Sequence, residues 1–223
     1  MLTVHHLNNS RSQRVLWLLE ELALPYEIAR YQRHPRTMLA PPELRAIHPL
    51  GKSPVITDDN HVIAESGAIL EYLLDKVPNT PLRPAPGSED FLRYRYFLHY
   101  AEGSLMPLMV MALVMSAVSR RKMPFFVKPI ANTIVEGINR AFLKPQIKTH
   151  LEFVDNELSV RPWFAGDDFS AADIQMSFAL EGAAARMSVS GYPHISAFLA
   201  RATARPAYRR ALEKGGKYDL NSF

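Results

Sequence analysis

The chain contains no cysteine. Disulfides, thiolate metal ligands and an enzyme-borne thiol nucleophile are therefore excluded, and any thiol this protein handles belongs to a ligand. No tyrosine occurs before Tyr26, which leaves the first loop with hydroxyls only from serines. No basic-then-apolar leader opens the sequence, so a cytoplasmic protein is expected. No internal repeat or low-complexity segment is present. The longest apolar run, Leu105 to Val118, is broken by Pro107 and Ser116; it is too short for a bilayer and reads as a buried helix. Charge is nearly balanced, at +4 with a pI near 9.3. The one basic cluster, Arg120-Arg121-Lys122, lacks interleaved aromatics and reads as a solvated helix end or loop, not a nucleic-acid patch.

What is present is ordinary globular material, 48% hydrophobic and 22% charged over 223 residues, enough for one large domain or two small ones. The first third alternates short strands and helices. Val4–Leu7 reads as a strand, followed by a helix from Ser10 to Leu22 and a strand over 26–31. A polar, proline-rich loop follows, with one short helical piece at 42–47. A hairpin (55–57 and 61–64, turning at Asp58-Asp59-Asn60) and a helix over 65–76 complete the unit. That order suits one small mixed sheet with helices packed on it. Residues 78–87 hold four prolines and a glycine and read as a stiff linker. Beyond it the chain reads as helical, over about 88–119, 125–158, 170–187, 194–202 and 206–214. The expected domains are 1–77, α/β, and 88–223, all-helical.

Three loops carry chemistry. Ser10 stands where a strand gives way to a helix, with Gln13 three residues on in the S-x-x-Q spacing of a capping box. Ser10 can simply cap that helix, or its hydroxyl can serve an anion held at the helix N-terminus. In His48-Pro49-Leu50-Gly51-Lys52-Ser53-Pro54, a cis Pro54 would turn the Ser53 backbone outward to pair with a peptide, and Lys52 offers a cation for a carboxylate. Glu65 and Ser66 begin a helix, and together they can hold the ammonium and carboxylate of an α-amino acid head. His5 and His6 fall on opposite faces of the first strand. Neither has a partner at metal-ligand spacing, so no metal is expected.

Together, Asn8-Asn9-Ser10-Arg11-Ser12-Gln13-Arg14, His48 to Pro54 and Glu65-Ser66-Gly67 resemble the thioredoxin-like N-terminal domain of cytosolic glutathione transferases. Trp163 to Ile174 resembles the capping box and hydrophobic staple of that family's helical domain, with Ser170 as cap, Asp173 reaching back and Phe169 packing on Ile174. The likeness spans the chain and is nearest the serine-using bacterial and fungal members, since Ser10 falls four residues before the family's loop arginine at Arg14. Asn9 and Ser12 are the nearest substitutes for Ser10.

The resemblance implies a transferase that ionises the glutathione thiol and joins it to small hydrophobic electrophiles. It places catalysis at Ser10, with Asn9 beside it, and glutathione at Lys52, Ser53, Pro54, Glu65 and Ser66. Among the bulky residues of the long helix, Tyr100, Met106 and Met109 are the candidates for the electrophile pocket, although methionine and aromatic stripes at helical spacing usually fill cores. Glutathione is the only co-substrate implied, with no metal, nucleic acid or membrane partner, and a homodimer is the implied assembly. Arg14 is read as a brace of the helix or domain interface, and Glu102 as an interface carboxylate or a contact to a partner subunit's glutathione. Two other readings keep the same fold: a glutathione-dependent peroxidase, and a non-catalytic glutathione- or ligand-binding module.

Overall fold

The computed structural model describes residues 1–187, 189–216 and 218–220, so the last three residues of the expected helical domain fall outside it. The N-terminal unit runs β1 (Leu2–Leu7), α1 (Ser12–Leu22), β2 (Glu27–Tyr31), α2 (Glu43–Ile47), β3 (Val55–Asp58), β4 (His61–Ala64) and α3 (Ser66–Asp75). Its four strands lie in the order β2-β1-β3-β4, with β1 parallel to β2 and antiparallel to β3. This is the thioredoxin-like arrangement, a mixed sheet with helices against it. Val4 and Ile56, which face each other in the β1–β3 register, are fully buried. So are Val15, Leu18 and Leu19 of α1 and Ile69, Leu70 and Leu73 of α3, the apolar stripes that press these helices on the sheet.

The second unit is helical: α4 (Glu89–Tyr100), α5 (Met106–Arg120), α6 (Lys128–Ile138), α7 (Lys144–Val160), α8 (Ala171–Arg186), α9 (Pro193–Ala204) and α10 (Pro206–Gly215). Each of the two long helices read from sequence is continuous but passes through a π turn, at 101–105 and at 139–143. Both turns end just before a proline, Pro107 and Pro145. A proline has no N–H to donate and its ring crowds the carbonyl four residues back. The turn widens instead, and the residue before each proline donates five residues back, Met106 to Ala101 and Lys144 to Asn139.

Continuity through the first π turn yields a helix from Glu89 to Arg120 that is, by length and composition, long enough to cross a membrane. The expectation of a buried helix over Leu105–Val118 holds only for its start. Leu105, Met106, Leu108 and Met109 are buried, whereas Val110, Met111 and Val114 are 43%, 39% and 48% exposed. Past Met109 only one side of α5 is covered, with Ala112 and Met115 against the core, and the neighbouring α6 likewise exposes Ile130 and Ile134. Arg120, Arg121 and Lys122 are exposed where α5 ends, in keeping with a solvated terminus.

The linker and the last helix tie the two units together. Leu82 is buried, and its carbonyl accepts the Ala171 N–H at the start of α8 (2.9 Å). On α10 and just before it, Arg205 forks onto Glu21 of α1 (2.6 and 2.9 Å), while Arg210 and Lys214 both reach Glu20. Gly215 lets the end of α10 come close to α1, since a Cβ there would lie 2.7 Å from the Gln13 side-chain oxygen.

At α8 the capping box forms as expected. The Asp173 carboxylate accepts the backbone N–H of Ser170 (2.8 Å), its hydroxyl (2.9 Å) and the Phe164 N–H (2.8 Å). Phe169 packs its ring against Trp17 of α1 and Trp163. Removing the carboxylate leaves two buried N–H groups without acceptors. Asp173→Ala is therefore expected to cost about 3 kcal/mol, read as a lower denaturant midpoint at unchanged m-value.

Candidate active site

Three loops lie at one end of the sheet. The turn after β1 carries Asn9 and Ser10, the segment entering β3 carries Lys52, Ser53 and a cis Pro54, and the β4–α3 junction carries Glu65 and Ser66. Ser10 does not form a capping box with Gln13, because α1 begins at Ser12 and Gln13 is buried toward α10 instead of turning back. The Ser10 oxygen accepts the Ser12 N–H at 3.2 Å, so it still serves the helix start. Its Oγ also lies 2.7 Å from Ser12 Oγ and 3.4 Å from Ser53 Oγ, and Ser12 Oγ is 2.9 Å from His6 Nδ1. Ser53 donates its own hydroxyl to the His5 carbonyl (3.0 Å). A row of hydroxyls thus runs from the cleft inward to a histidine.

The cleft beside Ser10 has a volume of about 230 Å³. Asn9, Ser10 and Ser53 form its polar wall, and Met106, Met109, Val110, Leu113, Phe178 and Leu220 its apolar one. Met106 and Met109 thus face it; Tyr100 does not. The Tyr100 ring is buried among Phe97, Phe153 and His150, and its hydroxyl bonds to His150 Nδ1 at 2.5 Å. The Asn9 carboxamide oxygen accepts the Asp219 N–H (2.8 Å), which fastens the C-terminal segment against this loop.

A second hollow of about 240 Å³ adjoins the first and is lined by Lys52, Arg45, Gly51 and Leu50. The two share Arg11, Arg33 and Ser53. The arginines were not singled out in the sequence. Arg33 and Arg45 lie in the polar loop after β2, where no periodicity marks one basic residue above another. Arg33 donates to the carbonyls of Asn8 (3.2 Å) and Asn9 (3.3 Å), so it also shapes the Ser10 loop. Burial and then the charge of Arg11 hold its guanidinium below the ordinary arginine value.

Glu65 and Ser66 lie outside both hollows, at the start of α3. Glu65 has a left-handed backbone (φ 72°), a conformation that costs a non-glycine residue energy and bends the chain sharply into the helix. Ser66 is buried and accepts from Arg14 Nη2 at 2.9 Å. Arg14, only 2% exposed, donates as well to the Gln175 carbonyl of α8 and to Glu102 in the first π turn. This is the domain brace read from the sequence. Glu102 is engaged within its own chain, by Arg14 and by Arg11 Nε at 3.1 Å. Among the described residues no group of three or more metal-ligating side chains gathers.

His6 is 5% exposed, and burial, with Arg30 adding to it, lowers its pKa to about 4. Its folded value lies below the unfolded one, near 6.5, so the unfolded chain binds more protons between the two. Stability contributed by the neutral ring is complete above about pH 6.5 and is lost as pH falls toward 4, by roughly 3 kcal/mol in total. The expected outcome is an acid limb in the stability profile across this window that shrinks in His6→Gln, followed by urea titration at several pH values.

Residues 10–76 match the family model for the glutathione S-transferase N-terminal domain, and residues 105–206 that for its C-terminal domain. Glutathione S-transferase 3 of Schizosaccharomyces pombe is 37% identical, over all of this chain and 91% of the relative. Glutathione S-transferase 1 of Saccharomyces cerevisiae is 35% identical, over 96% of this chain and 95% of the relative. Among solved structures, a glutathione S-transferase from Actinobacillus pleuropneumoniae superposes with a TM-score of 0.82 at 33% identity, covering all of this chain and 97% of the other. Matched along both domains in sequence and over its whole length in structure, the chain belongs to the glutathione S-transferase family.

Proposed function

We propose that this protein ionises the thiol of glutathione beside Ser10 and transfers the thiolate sulfur to a small hydrophobic electrophile. The observation that carries this reading is the two-sided cleft, with the Ser10 and Ser53 hydroxyls on one wall at the start of α1 and methionines 106 and 109 on the other. The tripeptide would lie along the sheet edge. Its γ-glutamyl head would sit at Glu65 and Ser66, its cysteinyl backbone at Ser53 beside cis Pro54, and its glycyl carboxylate at Lys52. Arg14 supports the first contact, because a Ser66 oxygen that accepts from a guanidinium has its own hydrogen to give to a carboxylate. Asn9 lines the same wall as Ser10 and fastens the C-terminal segment through its carboxamide oxygen, which accepts the Asp219 N–H; its carboxamide N–H group is the alternative donor to sulfur.

The energetics fit a hydroxyl donor. A free thiol, with a pKa of about 8.5, is only a few per cent ionised at neutral pH, and lowering that value by about two units requires about 2.7 kcal/mol. One hydrogen bond to an anion supplies roughly 1.5–3 kcal/mol. The N-terminus of α1 adds about 0.3–1 kcal/mol. The polarisable sulfurs of Met106 and Met109 suit apolar electrophiles of varied shape. A cytoplasmic homodimer is part of the same reading, supported by the apolar side chains that α5 and α6 expose.

The test is a titration of thiolate absorbance in the glutathione complex. Ser10→Ala is expected to raise the bound thiol's pKa by about one to two units, the equivalent of the lost hydrogen bond. Turnover of a chlorinated nitrobenzene at neutral pH would fall about ten- to a hundredfold with it. An unmoved pKa would remove Ser10 from the chemistry.

A further inference from the structure

The guanidiniums in and behind the cleft differ in how far their donors are used. Arg14 donates to Ser66, Glu102 and the Gln175 carbonyl, and Arg33 to the carbonyls of Asn8, Asn9 and Met38. Arg11, which lines the cleft directly after Ser10, is different. Its Nε lies 3.1 Å from Glu102 Oε2, close enough for an ion pair but without hydrogen-bond geometry. An arginine has five N–H donors. Among the described residues those of Arg11 have no hydrogen-bond partner within the protein.

Nor is its charge balanced. Glu102 offers one carboxylate to two guanidiniums, since Arg14 takes the other oxygen. The described residues that line the cleft include Arg11, Arg33 and Arg186 and no carboxylate. The charge of Arg11 reaches Arg33, where it adds to burial in holding that guanidinium below the ordinary arginine value. Like charges gathered at a half-buried site favour an anion beside them. Glutathione's own charges are provided for elsewhere: the reading above gives one carboxylate to Lys52 in the adjoining hollow, the other to Ser66, and the thiolate to Ser10. Arg11 stands instead beside Phe178, its Cζ 5.9 Å from the ring centroid, in the company of the apolar wall formed with Met106 and Met109. A ligand that suits this place is apolar in body and negative at one end.

We propose that Arg11 selects the electrophile: the preferred substrates are small apolar molecules bearing a carboxylate, which Nη1 and Nη2 of Arg11 take as a forked pair of hydrogen bonds while Met106, Met109 and Phe178 hold the rest. This rests on the reading of Ser10 and glutathione given above. A planar carboxylate matches the planar fork, and two charge-assisted bonds fix orientation as well as adding affinity. Glu102, itself held by Arg14, keeps the guanidinium in place from its Nε side. With the acid on Arg11, next in the chain to Ser10, the carbon to be attacked is set against the sulfur. Where that carbon carries a halogen, the sulfur's electron pair forms the C–S bond, the C–halogen bond breaks and the halide leaves with its pair. The substrate's carboxylate is unchanged throughout. A neutral electrophile of the same shape also fits but leaves the guanidinium unmatched, and the difference is the selectivity.

The probes are a chlorodinitrobenzoate and the chlorodinitrobenzamide of the same ring, each rate divided by that of the uncatalysed reaction with glutathione so that intrinsic reactivity cancels. The full-length protein should favour the benzoate in kcat/KM by about ten- to a hundredfold, the range of a hydrogen bond to a charged group. Arg11→Met should bring the ratio near unity, and Arg11→Lys, a charge without the fork, should keep part of it. Calorimetric titration of the glutathione complex with dinitrobenzoate and dinitrobenzamide, which lack the leaving group, should show the same preference without turnover. No preference in the wild-type protein overturns the proposal, and that measurement needs no variant. A ratio unaltered in Arg11→Met also overturns it; if both rates fall there while the bound thiol's pKa climbs, the guanidinium belongs to the thiolate. Ser10→Ala should slow both electrophiles alike. Should it leave the thiol pKa unmoved while the ratio still follows Arg11, only the reading of Ser10 falls; should it raise that pKa while the ratio ignores Arg11, only the selectivity falls.

Discussion

The Arg14 guanidinium is the constraint on which the two-domain arrangement depends. It is almost wholly buried, and burial pushes its pKa down while Glu102 pushes back. Arginine stays charged in a protein, so the fold must supply acceptors for that charge. It draws them from three elements besides its own: Ser66 at the start of α3, Glu102 in the π turn and the Gln175 carbonyl of α8. A lysine could not span these directions, because the planar fork is what reaches three elements at once. Separating the domains would leave a buried cation half satisfied, so the interface and the start of α3 are fixed together.

The cleft inherits its geometry from this brace. Glu102, Met106 and Met109 follow one another at helical spacing along one face, with the π turn between the first and the second. Anchoring Glu102 on Arg14 and Arg11 sets the rotation of the helix, and that rotation turns the two methionines toward Ser10. Pro107 matters here although it touches nothing in the cleft. By forcing a five-residue turn it advances everything after it relative to a regular helix.

Much of this was legible in the sequence. Strand and helix periodicity placed every element to within a few residues, because apolar spacing reports which face is buried and the proline-rich stretch at 78–87 stops any helix. The Ser170–Asp173 box was readable for the same reason: its partners are three residues apart. What could not be read depended on distant packing. The S-x-x-Q spacing at Ser10 looked like the same motif, but Gln13 is drawn under α10, some two hundred residues later in the chain. The Leu105–Val118 run was apolar enough for a core, yet burial depends on having a neighbour, and past Met109 one side of α5, with Val110, Met111 and Val114, is left exposed. Tyr100 was misplaced for the same reason, since its ring is drawn into a cluster with Phe97, Phe153 and His150 that spacing along one helix does not reveal.

The role of Ser10 shows how a single residue type can carry two functions without conflict. As a helix-start acceptor, its oxygen needs only a lone pair for the Ser12 N–H. As a partner of sulfur, it needs a hydrogen that can face either way. An isolated capping serine meets the first need, but its hydrogen has no defined direction. The close oxygen of Ser12, itself beside His6 Nδ1, makes the hydroxyl one link in a row that runs from the cleft to a buried end. The sheet supplies that end at little cost: adjacent residues on β1 point to opposite faces, which leaves His5 with Thr57 and Tyr31 and aims His6 beneath the first turn of α1. A polar row buried in this way is tolerable only because each member is satisfied, and that requirement makes the direction of one hydrogen depend on all the others.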